Sequence, residues 1–351
     1  MVKLEVVTLS SSEKIGLISN LGTMLSAGIS ILEAVHSLLE DSKGNLKRVL
    51  ETIAEDLTQG KRLYSSFAKF PRVFNKVTVN LIKASEEAGT LDTTLKDLRQ
   101  SIKREMEFTD KIKGALIYPA LIGVVFFGVL FMILVVVIPK IAIVFTRLKT
   151  KLPLPTRVLI FFSDLIIHNT LALIGGMAIV IAGLVILYKR KKYLLMGPLY
   201  SLPLISHLIK QIDLTRFSRS LYLLLTSGLT ITTALDLAKD VVIKKETAKI
   251  ITNARDTVVA GKRLSEGLKT KKGYIPTIVL KLIEAGEKSG TLDKSMQDIS
   301  EYLDYEVTNT LKTITVIMEP IMLVFVGIVA GGMMLAIIAP IYSLIGQVSP
   351  R

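Results

Sequence analysis

The chain has 351 residues, half of them apolar, a positive mean hydropathy and a formal net charge of +14. So apolar a composition is rare in soluble proteins and predicts membrane-spanning segments. Cysteine is absent, which excludes disulfides, thiolate metal sites and cysteine nucleophiles. The basic excess lies at 189–192 and in 139–157, beside apolar runs, where it fits anionic lipid headgroups better than nucleic acid.

Residues 1–12 form a short lead without the basic, apolar and small-residue stretches of a signal peptide, so we expect the N-terminal region in the cytosol. Residues 13–114 have apolar residues at helical spacing and almost no strand-like alternation. Gly28 suits the left-handed end of a helix, and Ser30 with Glu33 forms the Ser-x-x-Glu pattern that starts another. We predict an all-α bundle of about six short helices. Four of them are expected at 45–58, 62–69, 74–88 and 91–113.

Three apolar runs predict transmembrane helices at 115–138, 165–188 and 314–345. A helix rises about 1.5 Å per residue, so each run can cross a hydrocarbon core of about 30 Å. Two crossings separate 13–114 from the second polar region, 189–313, so both polar regions are predicted on the cytoplasmic side. The loop 139–164 and the tail 346–351 are then extracytoplasmic, although basic residues in that loop oppose the positive-inside rule.

The chain is an internal duplication. The stretches LIKASEEAGTLDTTLKDL (81–98) and LIEAGEKSGTLDKSMQDI (282–299) are identical at nine of eighteen positions. The same offset of 201 residues relates Gly60-Lys61-Arg62-Leu63 to Gly261-Lys262-Arg263-Leu264, Pro119 to Pro320, and Pro139 to Pro340. Each copy is a polar helical region followed by an apolar run, with 165–188 as an extra crossing between the copies.

The repeated Gly-Thr-Leu-Asp motif predicts a helix corner. Its glycine ends one helix at positive φ, its threonine caps the next, and its aspartate lies in the first turn, where the helix dipole favours an anion. The corner residues are Gly89, Thr90, Leu91 and Asp92 in the first copy and Gly290, Thr291, Leu292 and Asp293 in the second. Glu86 and Glu287, one turn earlier, are not explained by the corner. Each could be solvated, pair with a basic residue of the chain, or contact another protein, and we favour the protein contact.

No catalytic, cofactor-binding or metal-binding residue is predicted. Gly60-Lys61 and Gly261-Lys262 lack the first glycine and the hydroxyl residue of a phosphate-binding loop. The three histidines have no partners at ligand spacing, and no Gly-x-Ser-x-Gly turn occurs. These absences argue against an enzyme, and nucleic acid is not an expected partner.

A proline preceded by a polar side chain lies near the start of the first apolar run and of the third. The residues are Tyr118, Pro119, Glu319 and Pro320. Glu319 fits either a hydrated position near the headgroups or contact with another helix, because ionisable groups at this depth usually have a partner. We predict membrane-edge positions or helix contacts for all four residues.

The combination resembles the type II secretion F-domain family. The resemblance is carried by SAGISILEAV and TSGLTITTAL early in each copy, EEAGTLD and EKSGTLD late, the Tyr118-Pro119 and Glu319-Pro320 pairs, and the closing PIYSLIG. It covers residues 12–345. The short lead departs from the family, so a docking role of a longer N-terminal extension is not expected.

The resemblance implies a non-enzymatic inner-membrane platform protein of a type IV pilus or type II secretion machine. Such proteins meet a hexameric secretion ATPase, pilin or pseudopilin transmembrane helices and other inner-membrane assembly proteins, and they form homo-oligomers. The implied function is to couple the ATPase to insertion or extraction of pilins, with Tyr118, Pro119, Glu319 and Pro320 either at the membrane edge or in contact with pilin. The alternative is a transporter or permease subunit, although transporters usually carry polar residues at the membrane midplane.

Overall fold

The computed structural model describes residues 4–147, 154–168, 203–269 and 273–348. Over these ranges the chain is helical and contains no β-strand, as predicted. It divides into two compact units, one holding residues up to 111 together with 207–309, the other holding 112–206 together with residues from 310 onward. Most of the predicted second crossing, 169–188, and the basic run 189–192 lie outside the described residues.

The first copy contributes six helices, starting in the first unit. They are α1 (Ser11–Ser26), α2 (Ile31–Glu40), α3 (Gly44–Thr58), α4 (Leu63–Ala68), α5 (Lys76–Ala88) and α6 (Leu91–Met132), after a short 3-10 turn at Leu4–Val6. Ser30 caps α2, because its Oγ accepts the Glu33 N–H at 3.3 Å, and Gly28 has φ 82°. A two-way capping box lies one helix earlier, where Ser10 Oγ accepts from Glu13 N–H and Glu13 accepts from Ser10 N–H.

The second copy repeats this order. Its helices are α9 (Pro203–Thr226), α10 (Ile231–Ala238), α11 (Lys245–Val259), α12 (Leu264–Leu268), α13 (Thr277–Ser289) and α14 (Leu292–Val348), with a 3-10 turn at Lys239–Val241. Gly228 has φ 79°, which matches the left-handed backbone of Gly28. Both copies therefore use the same local signals to end the same helices.

The first unit has one continuous apolar core built by both copies. Phe67 and Phe74 stack at 3.9 Å between ring centroids, and both belong to the same buried cluster as Leu221, Leu235 and Met296 of the second copy. Burial of such side chains stabilises the fold by about 1.5–3 kcal/mol each. The two polar regions thus pack as one helical body.

The described helices of the second unit expose mostly apolar side chains. It holds the apolar part of α6, a π-helical turn at Ile133–Val137, α7 (Ile138–Arg147), α8 (Leu154–His168) and the C-terminal part of α14. The helical stretches Leu91–Ile143 and Leu292–Ile338 are both long and apolar enough to cross a membrane, and only 6% and 11% of their most apolar windows are buried. Within the predicted extracytoplasmic loop, the described residues are helical over 139–147 and 154–164.

Candidate functional site

The repeated Gly-Thr-Leu-Asp motif forms the same corner in both copies. Helix α5 ends at Gly89, with φ 72°, and α13 ends at Gly290, with φ 75°. The N–H of Thr90 donates to the carbonyl of Ser85 at 2.9 Å, and the N–H of Thr291 donates equally to Gly286. These left-handed glycines with backward bonds have the geometry of a Schellman helix end.

The next helix starts at once on the far side of each corner. Leu91 begins α6 and Leu292 begins α14, with Asp92 and Asp293 in the first turns. Carboxylates there interact favourably with the positive end of the helix dipole. The Thr291 hydroxyl lies 2.6 Å from Ser289 Oγ.

Glu86 and Glu287 bind backbone amides within the chain. Glu86 Oε1 accepts the N–H of Leu63 at 2.9 Å, and Oε2 accepts the N–H of Tyr64 at 3.2 Å. Glu287 accepts in the same way from Leu264 and from Ser265, the second at 3.0 Å. Each half-buried carboxylate therefore caps the short helix that follows the Gly-Lys-Arg motif, α4 in one copy and α12 in the other.

This pairing joins two motifs that the sequence repeats separately. The amide donors follow Gly60-Lys61-Arg62 and Gly261-Lys262-Arg263, and the acceptors lie 22 and 23 residues further along. Arg62 and Arg263, at the N-cap positions, make no side-chain capping bond, so the distant glutamate supplies it. The intramolecular partner is a pair of amides rather than a basic side chain, and a contact of Glu86 or Glu287 with another protein stays a prediction.

Lys61 of the first Gly-Lys-Arg motif is engaged by a buried carboxylate. Asp56, with a side chain 3% exposed, lies 2.8 Å from Lys61 Nζ and 2.5 Å from Lys69 Nζ. Burial alone would raise the pKa of Asp56, but hydrogen bonds from the two lysines bring this pKa down to about 2. Position 257, the repeat equivalent of Asp56, is threonine, so this ion cluster is specific to the first copy.

Ion pairs connect the two copies inside the first unit. Glu105 Oε1 accepts from Arg216 Nη2 at 2.9 Å, and Oε2 accepts from Arg219 Nη1 at 2.9 Å. Arg219 also lies 3.5 Å from Asp304 and stacks over the Phe108 ring. Burial lowers the pKa of Arg219, while Glu105 and Asp304 raise it, which favours a paired guanidinium. We name Glu105, Arg216, Arg219 and Asp304 the inter-copy cluster.

A fully buried carboxylate, which the sequence patterns did not single out, stabilises a loop in the second copy. Asp213 accepts the N–H groups of Ile243 and Lys244 at 2.6 and 2.8 Å and the hydroxyl of Thr247 at 3.0 Å. Burial raises the pKa of Asp213, and these three bonds lower it. Asp213 therefore holds the segment that leads into α11, and its chain separation of 30 residues or more explains why local patterns miss it.

The predicted membrane-edge residues lie inside long helices. Tyr118 is 51% exposed, and Pro119 lies within α6. Glu319 and Pro320 are exposed and lie within α14. Neither proline ends its helix, so each leaves one carbonyl of the preceding turn without its helical donor.

In the described ranges no group of three or more His, Asp or Glu side chains could hold a metal ion. His207 lies near Lys210 and Glu306, and burial is the main cause that lowers its pKa. The described clusters join parts of this chain to each other, so what they offer chemically is ion pairing and capping.

Comparison with known proteins identifies relatives over nearly the whole chain. The family described as "Type II secretion system (T2SS), protein F" matches residues 17–139 and 217–340. "Type IV pilus assembly protein PilC" of Thermus thermophilus is 30% identical over 337 residues, which cover 94% of this chain and 82% of the relative. "Type II secretion system protein F" of Pseudomonas aeruginosa is 29% identical over 329 residues, covering 92% and 80%. PilC of Myxococcus xanthus is 27% identical over 335 residues, covering 93% and 79%.

Proposed function

The chain belongs to the protein F family of type II secretion systems, whose members include type IV pilus assembly proteins, and we propose that it couples a cytoplasmic secretion ATPase to pilin movement. In this proposal it is a non-enzymatic platform in the inner membrane. The ATPase acts on the polar copies, and pilin or pseudopilin helices are inserted or extracted beside the apolar helices.

One observation supports this proposal most directly. Both polar copies pack around a single core, while the apolar helices of both copies leave nearly all of their most apolar windows uncovered. A polar body with one core suits contact with a soluble motor, and an uncovered apolar surface suits lipid and foreign helices. Tyr118, Pro119, Glu319 and Pro320 are the proposed pilin contacts, and we further propose a homo-oligomer with other inner-membrane assembly proteins as neighbours.

The proposed topology has three crossings, 115–138, 165–188 and 314–345, with the polar regions 13–114 and 189–313 in the cytoplasm as two related bundles that share one core. The natural chain has no cysteine, so single cysteines can be introduced without removing any. A membrane-impermeant maleimide should label Lys149→Cys in intact spheroplasts. Lys103→Cys and Lys262→Cys should react only after the membrane is opened. Labelling of either cytoplasmic position in intact spheroplasts would contradict the topology.

Partner identity is tested by affinity purification of the tagged full chain from native membranes, with mass spectrometry of what is retained. A hexameric secretion ATPase and prepilins should be enriched over a tagged, unrelated membrane protein. A transporter or permease subunit is the competing function, because multiple spans and an internal repeat also occur there. Recovery of neither partner, together with solute flux in proteoliposomes of this chain alone, would replace our proposal with that one.

A partner role of Glu86 and Glu287 is tested apart from their capping role. Glutamine keeps a side-chain oxygen that can accept an amide hydrogen but removes the charge. If a basic surface of the ATPase pairs with these negative charges, the double variant Glu86→Gln, Glu287→Gln should lose ATPase co-purification while remaining folded. The charge-matched control is the double variant Glu51→Gln, Glu55→Gln, at two exposed positions of α3. Retained co-purification in the double variant limits both residues to capping.

A further inference from the structure

Two repeat-equivalent prolines lie in the apolar helices of the two copies. Pro139 and Pro340 are related by the 201-residue offset, and both lie in helical backbone. Proline has no backbone N–H, so each removes one hydrogen bond from its helix and leaves one carbonyl without a donor. Where such a carbonyl is buried in the protein it must find another partner, because water does not reach it.

In the second copy, the partner of this carbonyl is a hydroxyl of α8. An α-helical N–H donates to the carbonyl four residues earlier, so Pro340 deprives Ala336 of its donor. The Thr156 hydroxyl donates to the Ala336 carbonyl at 2.5 Å. Both Thr156 and Ala336 are 1% exposed, so water does not compete for this bond.

In the first copy a hydroxyl also bonds the carbonyl that the proline deprives of its donor. This carbonyl lies one residue before the position equivalent to Ala336. The backbone at Ile133–Val137 is π-helical, and the N–H of Ile138 donates to the carbonyl of Ile133. With this five-residue spacing, the donor to the Leu134 carbonyl would be residue 139. Residue 139 is proline and has no N–H, so the Leu134 carbonyl loses its donor. The Ser163 hydroxyl donates to that carbonyl at 2.6 Å, and Ser163 is 1% exposed.

Both hydroxyls belong to one helix and point the same way. Thr156 and Ser163 are seven residues apart, which is close to two turns and places them on one face of α8. Away from that face, Val158, Phe161 and Phe162 are 53%, 64% and 48% exposed. One face of α8 thus reaches an apolar helix of each copy, at its proline site.

We propose that α8 is a clamp that closes both proline sites, with Thr156 fixing the helix of the second copy and Ser163 that of the first. Prolines and π turns are where long helices bend. With both hydroxyls in place, each helix is held in the described geometry. Loss of a hydroxyl leaves the carbonyl at that site without a donor and frees the site to bend. The inference concerns the chain alone, and it stands whichever partner the platform serves.

The test is a double-mutant cycle on the purified full chain in detergent. Thr156→Val keeps the side-chain shape, removes the hydroxyl and should lower the midpoint of thermal unfolding, whereas Thr156→Ser should keep it. Pro340→Ala restores an N–H for Ala336, so Thr156→Val should have little further effect in that background. The matched control is Thr315→Val, whose hydroxyl bonds the carbonyl of Leu311 within its own helix. Equal loss from Thr156→Val with and without Pro340 would overturn the clamp.

Hydrogen exchange tests the clamp even if a proline variant does not fold. Thr156→Val should speed exchange of the amides around 336–341 and leave those around 134–140 unchanged. Ser163→Ala should do the reverse. Uniform acceleration at both sites, or none at either, would mean that the hydroxyls do not act locally on the two proline sites.

Discussion

Replacing Glu86 and Glu287 by alanine tests the central geometric claim about the duplicated motif. Each carboxylate accepts two amide hydrogens at the start of a short helix, of six residues in α4 and five in α12. Helices this short have few internal bonds, so their free amides depend strongly on the cap. We therefore expect the alanine variants to unfold more easily than the wild type.

The size of the effect follows from the bonds lost. Replacing a capping side chain by alanine costs about 0.5–2 kcal/mol, and the charged acceptor with two bonds favours the upper half, about 1.5 kcal/mol for each site. Independent sites add, so the double variant should lose about 3 kcal/mol. Glutamine retains one accepting oxygen, so Glu86→Gln should lose about half as much as Glu86→Ala.

The assay is urea unfolding of the full chain in detergent micelles, followed by tyrosine fluorescence because the chain has no tryptophan. We expect urea to unfold the polar unit while detergent covers the apolar helices, and Tyr64 lies at one of the capped helices. Glu55→Ala, at an exposed helix position, is the control. Unfolding of Glu86→Ala at the same urea concentration as Glu55→Ala would refute the capping role.

Three further predictions use the same assay. The carboxylate of Asp56 has a pKa lowered to about 2 from 3.8, so its stabilisation is present above pH 3.8 and is lost as pH falls towards 2. Because both lysines are partly exposed, acidification should lower the free energy of unfolding by about 1–2 kcal/mol through this carboxylate. Asp56→Asn should abolish this pH dependence, whereas the control Asp298→Asn, at an exposed position, should keep it. Gly286→Ala should cost about 1–3 kcal/mol, since an added Cβ would lie 2.3 Å from Ser295 Oγ. Glu105→Gln should cost about 1–2 kcal/mol, because it removes the negative charge that Arg216 and Arg219 share in the inter-copy cluster.

Local chemistry made much of the fold predictable. The predicted helices at 45–58, 62–69 and 74–88 agree within two residues with α3, α4 and α5. Glycines that require positive φ and serines that cap a helix act within one turn, so a single stretch of sequence carries their information. Because the chain is duplicated, the helices predicted for the first copy also predicted those of the second.

Contacts across long chain separations were not predictable in the same way. The acceptor for Leu63 lies 23 residues away, Arg219 and Glu105 are 114 apart, and the Thr156 hydroxyl meets a carbonyl 180 residues away. Periodicity assigns a residue to a face of its own helix but does not say which helix covers that face. Thr156 and Ser163 also lay in a segment expected to be a loop, so no helix-packing argument applied to them.

The inter-copy cluster also indicates how a duplicated chain comes to offer two different surfaces. If the copies packed as a symmetric pair, each contact would recur with the equivalent residues exchanged. The equivalent of Glu105 is Glu306. The early part of each copy aligns at an offset of 200, as Ala34 with Ala234, so the equivalents of Arg216 and Arg219 are Gly16 and Ser19, which cannot form the pair. Lys76 likewise pairs with Asp240, whereas their equivalents at offsets of 201 and 200 are Thr277 and Glu40, which have no basic partner between them. These ion pairs therefore form only once, so the packing of the copies is not symmetric, and a partner that contacts both copies meets two related but unequal faces.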